Sequence, residues 1–411
     1  MSGVHHMSNS ISFKYVSPAD SEKVGFRAVD IARIEHAGYP VPLGFVIPCS
    51  VFSSFLNQSG LRDWIRHIYE KNEKNHEGFM QSYQEIKGLF RQVNFSGMLR
   101  EEFTEGYESL AISSVKKREG FSLQQSAMSL IESSISPKVN IIPSPDYESK
   151  KDVKFCLKKN VVGIENFFSA IRDCWSDFFI PELVEERIKL GKSIDSFNLG
   201  LVVEQVLPAE AHAIGAFRQQ TSAHPIKVLS YKGVWDTDDE VGKDEYLLFA
   251  DHLSIVKSSI RHQEFKVMCD DNGHCRQVGL GEQGSKAKLN DCQVLEIARL
   301  TKRAHVVLET DVEVAVAVQG DVACIIFVQR NPFEFIENTS VGEKFAQLPI
   351  DEEQEIQEEV LPQIEIFDEE ETVEEPKEKE IFRPEEKYVP DVFVSPTPDF
   401  EHKEYQEKES F

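Results

Sequence analysis

The feature that most restricts the fold is a series of short apolar segments in the second half of the chain, each ended by a turn signal. Val312–Val318 and Val322–Gln329 are joined by Gln319-Gly320-Asp321, and Asn272-Gly273 joins two further segments. Short segments joined by tight polar turns are typical of antiparallel strands, and Asn-Gly favours the hairpin turn that matches strand twist. The other strands predicted in this half are Leu199–Leu207, Ala213–Phe217, Lys227–Tyr231, Tyr246–Ala250, Glu264–Cys269 and His274–Val278.

Helical periodicity dominates the first half. In Gly25–Gly38 apolar residues recur every three or four positions until Gly38 ends the pattern. Two prolines, Pro40 and Pro42, then exclude a helix, so a strand is predicted up to Ile47. Further helices are predicted at Val51–Phe55, Leu61–Lys71, Tyr83–Leu110, Ile164–Phe179 and Asp291–Leu308, and a further strand at Val139–Ile142. These elements together predict a mixed α+β fold.

The negative charge of the chain is concentrated at its C-terminal end. Its 411 residues carry a net charge of −25, and Asp351–Phe411, with 23 acidic and 6 basic residues, contribute −17 of it. Because so charged a segment does not collapse onto a core, residues 334–411 are predicted to form a disordered acidic tail. Residues 1–12, which are short and polar, are predicted to be disordered as well. Apolar clusters such as Ile364–Phe367 could dock on a partner protein, and a purely solubilising tail is the equal alternative.

Several classes of function and location are disfavoured. Nucleic acids and anionic membranes bind clustered Lys and Arg, which this chain lacks. No run of about 18–20 apolar residues is present, and the first ten residues lack the pattern of a signal peptide. Seven scattered cysteines fit reduced thiols better than a disulfide framework. The predicted compartment is the cytoplasm.

One stretch near the N-terminus is specific enough to indicate a family. It runs from Val24-Gly25-Phe26-Arg27 to Ala37-Gly38-Tyr39-Pro40-Val41-Pro42-Leu43-Gly44-Phe45-Val46-Ile47. It resembles the opening of the phosphoenolpyruvate synthase and pyruvate phosphate dikinase family, whose pattern is Val-Gly-Gly-Lys, a helix, and Ala-Gly-x-Pro-Val-Pro-x-Gly-Phe-Val-Ile. Three later parts of the chain are also similar to the family and follow the family's order. They are Gly163–Trp175, then Leu201–Glu210, and finally a group made of Leu295–Leu300, Asp311–Glu313 and Phe327–Pro332.

The resemblance implies a two-lobed ATP-grasp-like domain, with residues 13–198 in the N-terminal lobe and 199–333 in the C-terminal lobe. ATP and Mg²⁺ are the implied ligands. By position, Arg27 would contact phosphate, Glu204 would lie on the strand beside the adenine, and Gln329 would lie beside the nucleotide. Asp311 and Glu313 alternate on a predicted strand and so share a face. By resemblance, they would hold the metal ion.

Three positions depart from the family pattern. The Arg of its Val-Arg-Ser-Ser strand falls on Ile142, the Glu of its Gly-Leu-Gly-Glu segment on Val234, and its closing Arg on Asn331. Arg330 could replace the last of these by a shift of one residue. Losing a charged contact to a triphosphate or its metal commonly costs several kcal/mol in the transition state. The departures therefore predict impaired phosphoryl transfer.

The sequence predicts, on this basis, a stand-alone phosphoenolpyruvate synthase-like domain that binds ATP weakly or not at all, with a tail that recruits a partner. The alternative is the active ATP-binding subunit of a split synthase, a phosphotransferase that phosphorylates a histidine on a separate chain. A structural scaffold is a third reading. No histidine of this chain lies in a Thr-Ser-His-like context, so the alternative requires a phosphohistidine-domain protein in trans.

Two further motifs carry weaker signals. Gly279–Lys286 is rich in glycine but has the order Gly-Ser-Lys, whereas a Walker loop needs Gly-Lys followed by Ser or Thr. A flexible connector is predicted there. Cys269, His274 and Cys275 surround the predicted hairpin turn, but zinc sites normally have four ligands and no fourth is evident. An ordinary hairpin is the preferred interpretation.

Overall fold

The computed structural model describes residues 9–116, 136–147, 157–193, 198–219, 225–234, 242–270 and 272–330. All of them belong to the first of two units of the chain, Met1–Pro349. The predicted acidic tail, residues 1–8 and Asn331 lie outside the described residues.

The strands and helices are numbered in chain order. The strands are β1 Ile11–Ser12, β2 Gly44–Ile47, β3 Lys138–Pro145, β4 Lys158–Val162, β5 Leu199–Gln205, β6 Ala211–Phe217, β7 Pro225–Lys232, β8 Asp244–Phe249, β9 Ser254–Ser259, β10 Phe265–Cys269, β11 Cys275–Gly279, β12 Val312–Gln319 and β13 Val322–Arg330. The α-helices are α1 Ser21–Val24, α2 Phe26–His36, α3 Cys49–Gln58, α4 Leu61–Lys71, α5 His76–Gln92, α6 Gly97–Lys116, α7 Ile164–Asp177, α8 Pro181–Lys189 and α9 Asp291–Leu308.

The described residues form two larger antiparallel sheets, of five and six strands, and a separate two-stranded sheet, β10–β11. The first sheet has the order β1-β2-β5-β3-β4, and the second has the order β13-β12-β6-β7-β8-β9. Because β5 pairs with both β2 and β3, the sequence from Leu199 to Gln205 belongs to the first sheet. The boundary between these two sheets therefore falls after Gln205. The division into two lobes at residue 198 stays a prediction. The mixed α+β class is confirmed.

Helix α2 is shared by the hydrophobic cores of both sheets. Its residues Ala28, Val29 and Ile31 join one buried cluster with Val202 of the first sheet and Val314 of the second. The opposite face of the first sheet buries a separate, aromatic-rich cluster against the helices that follow β2 and β4. Helix α2 is thereby fixed between the two sheets, and its first turn lies at the edge of the second sheet beside β13.

The N-terminal residues depart from expectation. Ile11 and Ser12, predicted to be disordered, form β1 by pairing with Val46 and Phe45. Directly after them, Phe13 is 1% exposed, and its ring occupies the space that a side chain at Gly44 would need. Burial of this aromatic ring, worth about 2–3 kcal/mol, anchors the segment to the first sheet.

The hairpin β10–β11 contains a disulfide between Cys269 and Cys275, which lie directly opposite each other. The prediction that all the cysteines are reduced thiols is therefore wrong for this pair, because hairpin pairing brings the two side chains together. Four other described cysteines are free thiols: Cys49, Cys174 and Cys324 are buried, and Cys292 is exposed. Among the described helices, none is long and apolar enough to cross a membrane.

Candidate functional site

The start of helix α2 is held against strand β3 by a close backbone contact. Gly25 has a φ of 83°, and a Cβ atom there would lie 1.9 Å from the carbonyl oxygen of Ser144. The backbone N–H of Ala28 donates a hydrogen bond of 3.0 Å to Ser144 Oγ. Only glycine combines this φ with so close an approach. These contacts fix the direction in which the first turn of α2 presents its side chains.

A small cleft that is open to solvent lies beside this turn. It is formed by the first turn of α2, the end of β3 and the segment after it, and the end of β13. Its lining residues are Phe26, Arg27, Asp30, Pro145, Tyr147, Val328, Gln329 and Arg330. Of the site residues predicted from the sequence, Arg27, Gln329 and Arg330 therefore lie together.

Arg27 forms part of the cleft wall. The guanidinium carbon of Arg27 lies 4.8 Å from the centre of the Phe327 ring on β13. A cation over an aromatic face is attracted by the ring quadrupole, and the flat contact orients the guanidinium. Arg27 thus presents a fixed positive charge at the cleft.

Arg330 also lies in the cleft, where it forms an ion pair with Asp30 of α2. Nε of Arg330 lies 2.9 Å from both carboxylate oxygens of Asp30, and a terminal nitrogen of Arg330 donates a further hydrogen bond to Oδ1. Asp30 is only 2% exposed. Burial raises the pKa of its carboxyl group, and the hydrogen bond and charge of Arg330 act in the opposite direction. The charge that was predicted to face a nucleotide is therefore engaged by a carboxylate of the protein.

Glu313 and Gln329 are directly opposite each other on β12 and β13. Glu313 is 8% exposed, and Gln329 lines the cleft. Mg²⁺ is usually held by one or two carboxylates together with phosphate oxygens and water, so this carboxylate and the neighbouring amide oxygen fit a metal that arrives with a nucleotide. Within the described ranges, no group of three or more His, Cys, Asp or Glu residues could hold a metal without such help.

Asp311 is engaged away from Glu313. Its Oδ1 accepts a hydrogen bond of 3.0 Å from the backbone N–H of Gln219, and its Oδ2 lies 3.9 Å from Nε of Arg218. These contacts tie the start of β12 to the end of β6. Asp311 therefore connects two segments of the protein. Its role as a metal ligand stays a prediction.

Glu204 is completely buried within the first sheet and does not line the cleft. Its Oε1 accepts a hydrogen bond of 3.2 Å from Asn140, and its Oε2 has no hydrogen-bond partner among the described residues. Burial raises the pKa of Glu204 to about 8, so the side chain is mostly neutral at pH 7. Its predicted contact with a nucleotide remains a prediction.

Two of the positions that depart from the family pattern are described. Ile142 is 4% exposed and packs in the core shared with α2. The N–H of Val234 donates a hydrogen bond of 2.9 Å to the carbonyl oxygen of Val267, so this segment holds the β10–β11 hairpin. Ile142 therefore serves core packing, and the backbone of Val234 serves to hold the hairpin.

Sequence reasoning missed Asp30 and Tyr147. Asp30 follows Arg27 by three residues and so shares its face of α2. An acidic residue in an otherwise apolar helical face was a usable signal. Tyr147 lies just after β3, where the pattern is weak, and nothing in the sequence indicated it. Burial raises the pKa of Tyr147 to about 12, so its phenol is neutral in the cleft wall.

Comparison with known proteins identifies the family of this chain. Residues 21–133 and 150–352 match the family described as "Pyruvate phosphate dikinase, AMP/ATP-binding domain". This chain belongs to that family. The match includes the second sheet and strands β2, β4 and β5 of the first sheet, and it leaves out β1 and β3. It includes every residue that lines the cleft apart from Pro145 and Tyr147.

The curated relatives include phosphoenolpyruvate synthases. A probable phosphoenolpyruvate synthase of Methanocaldococcus jannaschii is 22% identical over 69% of this chain and 23% of its own length. The phosphoenolpyruvate synthase of Aquifex aeolicus is 23% identical over 66% of this chain and 31% of its own length. The matched region thus spans less than a third of either relative. Among solved structures, PH1788 from Pyrococcus horikoshii is similar at 10% identity and a TM-score of 0.30, covering 75% of this chain and 92% of that one.

Proposed function

We propose that this domain binds an adenine nucleotide in the cleft between α2 and β13, and that it binds Mg-ATP weakly. The observation that carries the proposal is that Arg27, Arg330 and Gln329 converge on one cleft in a chain of the AMP/ATP-binding family. Guanidinium groups bind phosphate through paired hydrogen bonds. Glu313, opposite Gln329, would contribute a carboxylate to Mg²⁺ that accompanies the phosphates.

Weak binding of ATP is supported by the charges around the cleft. Ile142 stands where the family pattern has an arginine, and it is packed in the core. Arg330 is held by Asp30. Fewer cations are therefore available to a triphosphate, which carries more negative charge than a monophosphate. This domain would in that case act as a sensor or scaffold more than as a phosphotransferase.

The acidic tail is the proposed site of partner recruitment. The support comes from its sequence, in which apolar clusters such as Ile364–Phe367 are spaced by acidic runs. Disordered segments that fold on binding wrap around large surfaces of a partner, with low affinity per unit of area. A phosphohistidine-domain protein is the partner that the split-synthase alternative requires.

One observation favours the alternative, in which the chain is the active ATP-binding half of a split synthase. Glu313 stands at the family's metal-binding glutamate, and it is directly paired with Gln329, which stands at the family's glutamine beside the nucleotide. In that function ATP and water would yield AMP and free phosphate, with one phosphoryl group transferred to a histidine of the partner and the other to water. This chain's residues would orient the phosphates, and the metal ion would neutralise their charge.

The test is calorimetric titration of the full chain with AMP, ADP and ATP in the presence of Mg²⁺. Binding of AMP and weaker binding of Mg-ATP are expected. The variant Glu313→Gln should weaken Mg-ATP about tenfold, since it removes a charged metal contact, and should leave metal-free AMP binding unchanged. Glu282→Gln, an exposed position that does not line the cleft, is the matched control.

Absence of binding by all three nucleotides would refute the proposed function. Release of AMP and phosphate from ATP only after a phosphohistidine-domain protein is added would establish the alternative. Cross-linking that partner to the full chain, with and without Ile364, Ile366 and Phe367 replaced by Ser, tests the role of the tail. Equal cross-linking by both forms would contradict that role.

A further inference from the structure

The hairpin β10–β11 is attached to the second sheet at its base. The side chain of Gln263, which is 1% exposed, bonds to both the backbone N–H and the carbonyl oxygen of Lys232 at the end of β7. Just after β7, the N–H of Val234 donates its hydrogen bond to the carbonyl oxygen of Val267. The first strand of the hairpin is therefore fixed to the second sheet.

The turn of the hairpin contacts the first sheet. Nζ of Lys138, the first residue of β3, donates a hydrogen bond of 2.7 Å to the carbonyl oxygen of Asp270. A Cβ atom at Gly273 would lie 2.6 Å from the carbonyl oxygen of Asn160 and 3.2 Å from the side chain of Val162, so the turn and β4 approach each other closely. Strand β4 is an edge strand of the first sheet. The hairpin therefore bridges the two sheets, with its turn against the β4 edge.

The hairpin has little burial to support this contact. None of the residues of β10 and β11, all of which are described, is buried. A two-stranded hairpin without a buried face is only marginally stable in water. The disulfide joins Cys269 and Cys275, six positions apart, on either side of the turn. Because a covalent link across this loop restricts the open states of the chain, it stabilises the turn that contacts the first sheet.

Local hydrogen bonds give the turn a second, weaker support. Oδ1 of Asp270 accepts hydrogen bonds of 3.0 Å from the N–H of Asn272 and 2.9 Å from the N–H of His274. These groups are exposed, so water competes for the same bonds. They do not depend on the disulfide. Loss of the disulfide should therefore loosen the turn without unfolding the rest of the protein.

The two cysteines differ in accessibility. Cys275 is exposed, whereas Cys269 is partly buried. A thiolate of a dithiol would attack Sγ of Cys275, form a mixed disulfide and displace Sγ of Cys269, which takes up a proton. The second thiol of the reductant would then attack the mixed disulfide and release Cys275 as a thiol. In sum, one protein disulfide and one dithiol become two protein thiols and one oxidised reductant, a transfer of two electrons.

We propose that Cys269 and Cys275 form a site of thiol–disulfide exchange that controls whether the hairpin holds the two sheets together. In the oxidised form, the cross-linked turn docks on β3 and β4. In the form reduced by a dithiol, the turn loosens and its contacts with Lys138 and β4 open. This switch is independent of the proposed nucleotide binding, since neither cysteine is among the residues that line the cleft.

The test is amide hydrogen exchange of the full chain, purified without reductant, before and after treatment with dithiothreitol, a small dithiol. Reduction should speed exchange in β10 and β11 about tenfold or more, because the cross-link no longer limits local opening. Exchange in β4 should rise by a smaller factor, and exchange in α9 should not change. Alkylation with iodoacetamide, followed by mass spectrometry, should label Cys269 and Cys275 only after reduction.

Variants separate the disulfide from other effects of a reductant. Cys269→Ser combined with Cys275→Ser should exchange like the reduced wild type, and dithiothreitol should change it no further. Cys292→Ser, which removes an exposed free thiol on α9, is the matched control and should respond to dithiothreitol as the wild type does. Lys138→Met removes the hydrogen bond to Asp270 and leaves the disulfide. In this variant β4 should exchange faster even in the oxidised form, while β10 and β11 stay protected.

Each part of the inference has a result that would overturn it. Equal exchange of β10 and β11 before and after reduction would show that the disulfide does not control the hairpin. Unchanged exchange of β4 in both the reduced protein and Lys138→Met would show that the turn does not hold the first sheet. Labelling of both cysteines before reduction, or a rise in exchange as large in α9 as in the hairpin, would also overturn it. None of these results bears on nucleotide binding.

Discussion

Replacing Glu204 with glutamine should stabilise this protein, and increasingly so as the pH rises. The side chain is completely buried, and Asn140 donates a hydrogen bond to one of its two carboxyl oxygens. A glutamine at this position keeps an oxygen for Asn140. Like the protonated acid, it leaves one buried donor group, so the hydrogen bonding of the two neutral forms is similar. The difference between the variants is the cost of keeping an ionisable group in the core.

The size and sign follow from the pKa. Burial raises the pKa of Glu204 from 4.5 to about 8, so the folded protein retains a proton that the unfolded chain releases. Retention of this proton makes its full contribution to the free energy of unfolding below pH 4.5. That contribution is lost as the pH rises from 4.5 through 8. Each pKa unit corresponds to about 1.4 kcal/mol, so at pH 7 the wild-type protein should be less stable than Glu204→Gln by about 3 kcal/mol. Below pH 4.5 the difference should be close to zero.

The assay is urea unfolding of both proteins at several pH values between 4.5 and 8.5, followed by circular dichroism. The free-energy difference between them should increase steadily across this window. Glu70→Gln, at an exposed position on α4, is the control and should show no such trend. A difference that does not depend on pH, or a variant less stable than wild type at pH 8, would refute the assignment of a buried neutral carboxyl group.

Other substitutions test how the site is supported. Gly25→Ala should destabilise the protein by more than about 2 kcal/mol in thermal unfolding, because its Cβ would meet the Ser144 carbonyl; Gly38→Ala, which has a similar φ of 81° but no atom within 4 Å, should cost only about 1 kcal/mol. Asp244→Ala should cost about 3–5 kcal/mol in the free energy of unfolding, since Lys288, 1% exposed and 2.8 Å from Asp244, would be left buried without its carboxylate. Equal effects at the two glycines, or a loss below 1 kcal/mol for Asp244→Ala, would contradict these assignments.

The regular elements with clear periodicity were predictable. Helix α9 has the predicted bounds, Asp291–Leu308, because an Asn290 cap precedes an unbroken apolar pattern. Strand β9 was missed, since Ser254–Ser259 is a polar, exposed edge strand without alternation. The single helix predicted over Tyr83–Leu110 is two helices, α5 and α6, because residues 93–96 interrupt the helical hydrogen bonds. Whether a strand lies at the edge of a sheet, or a helix is interrupted, depends on tertiary contacts. Hydrophobic periodicity in the sequence carries no information about those contacts.

The candidate site was also predictable only in part, because some of its contacts join residues that are far apart in the sequence. Arg27, Gln329 and Arg330 could be named from the family pattern, and the fold brings them together. The ion pair between Arg330 and Asp30 joins residues 300 positions apart, and only the packing of α2 against β13 reveals it. The disulfide between Cys269 and Cys275 depends on the register of the hairpin, which places the two residues opposite each other. From the sequence alone, the cysteines were interpreted as reduced thiols.

The location of the nucleotide is tested most directly by amide hydrogen exchange of the full chain with and without saturating AMP. Binding in the cleft predicts slower exchange at residues 26–30, at the start of α2, and at 327–330, at the end of β13. It predicts no change at the β10–β11 hairpin. Unchanged exchange at both cleft segments, or protection confined to other regions, would contradict the account.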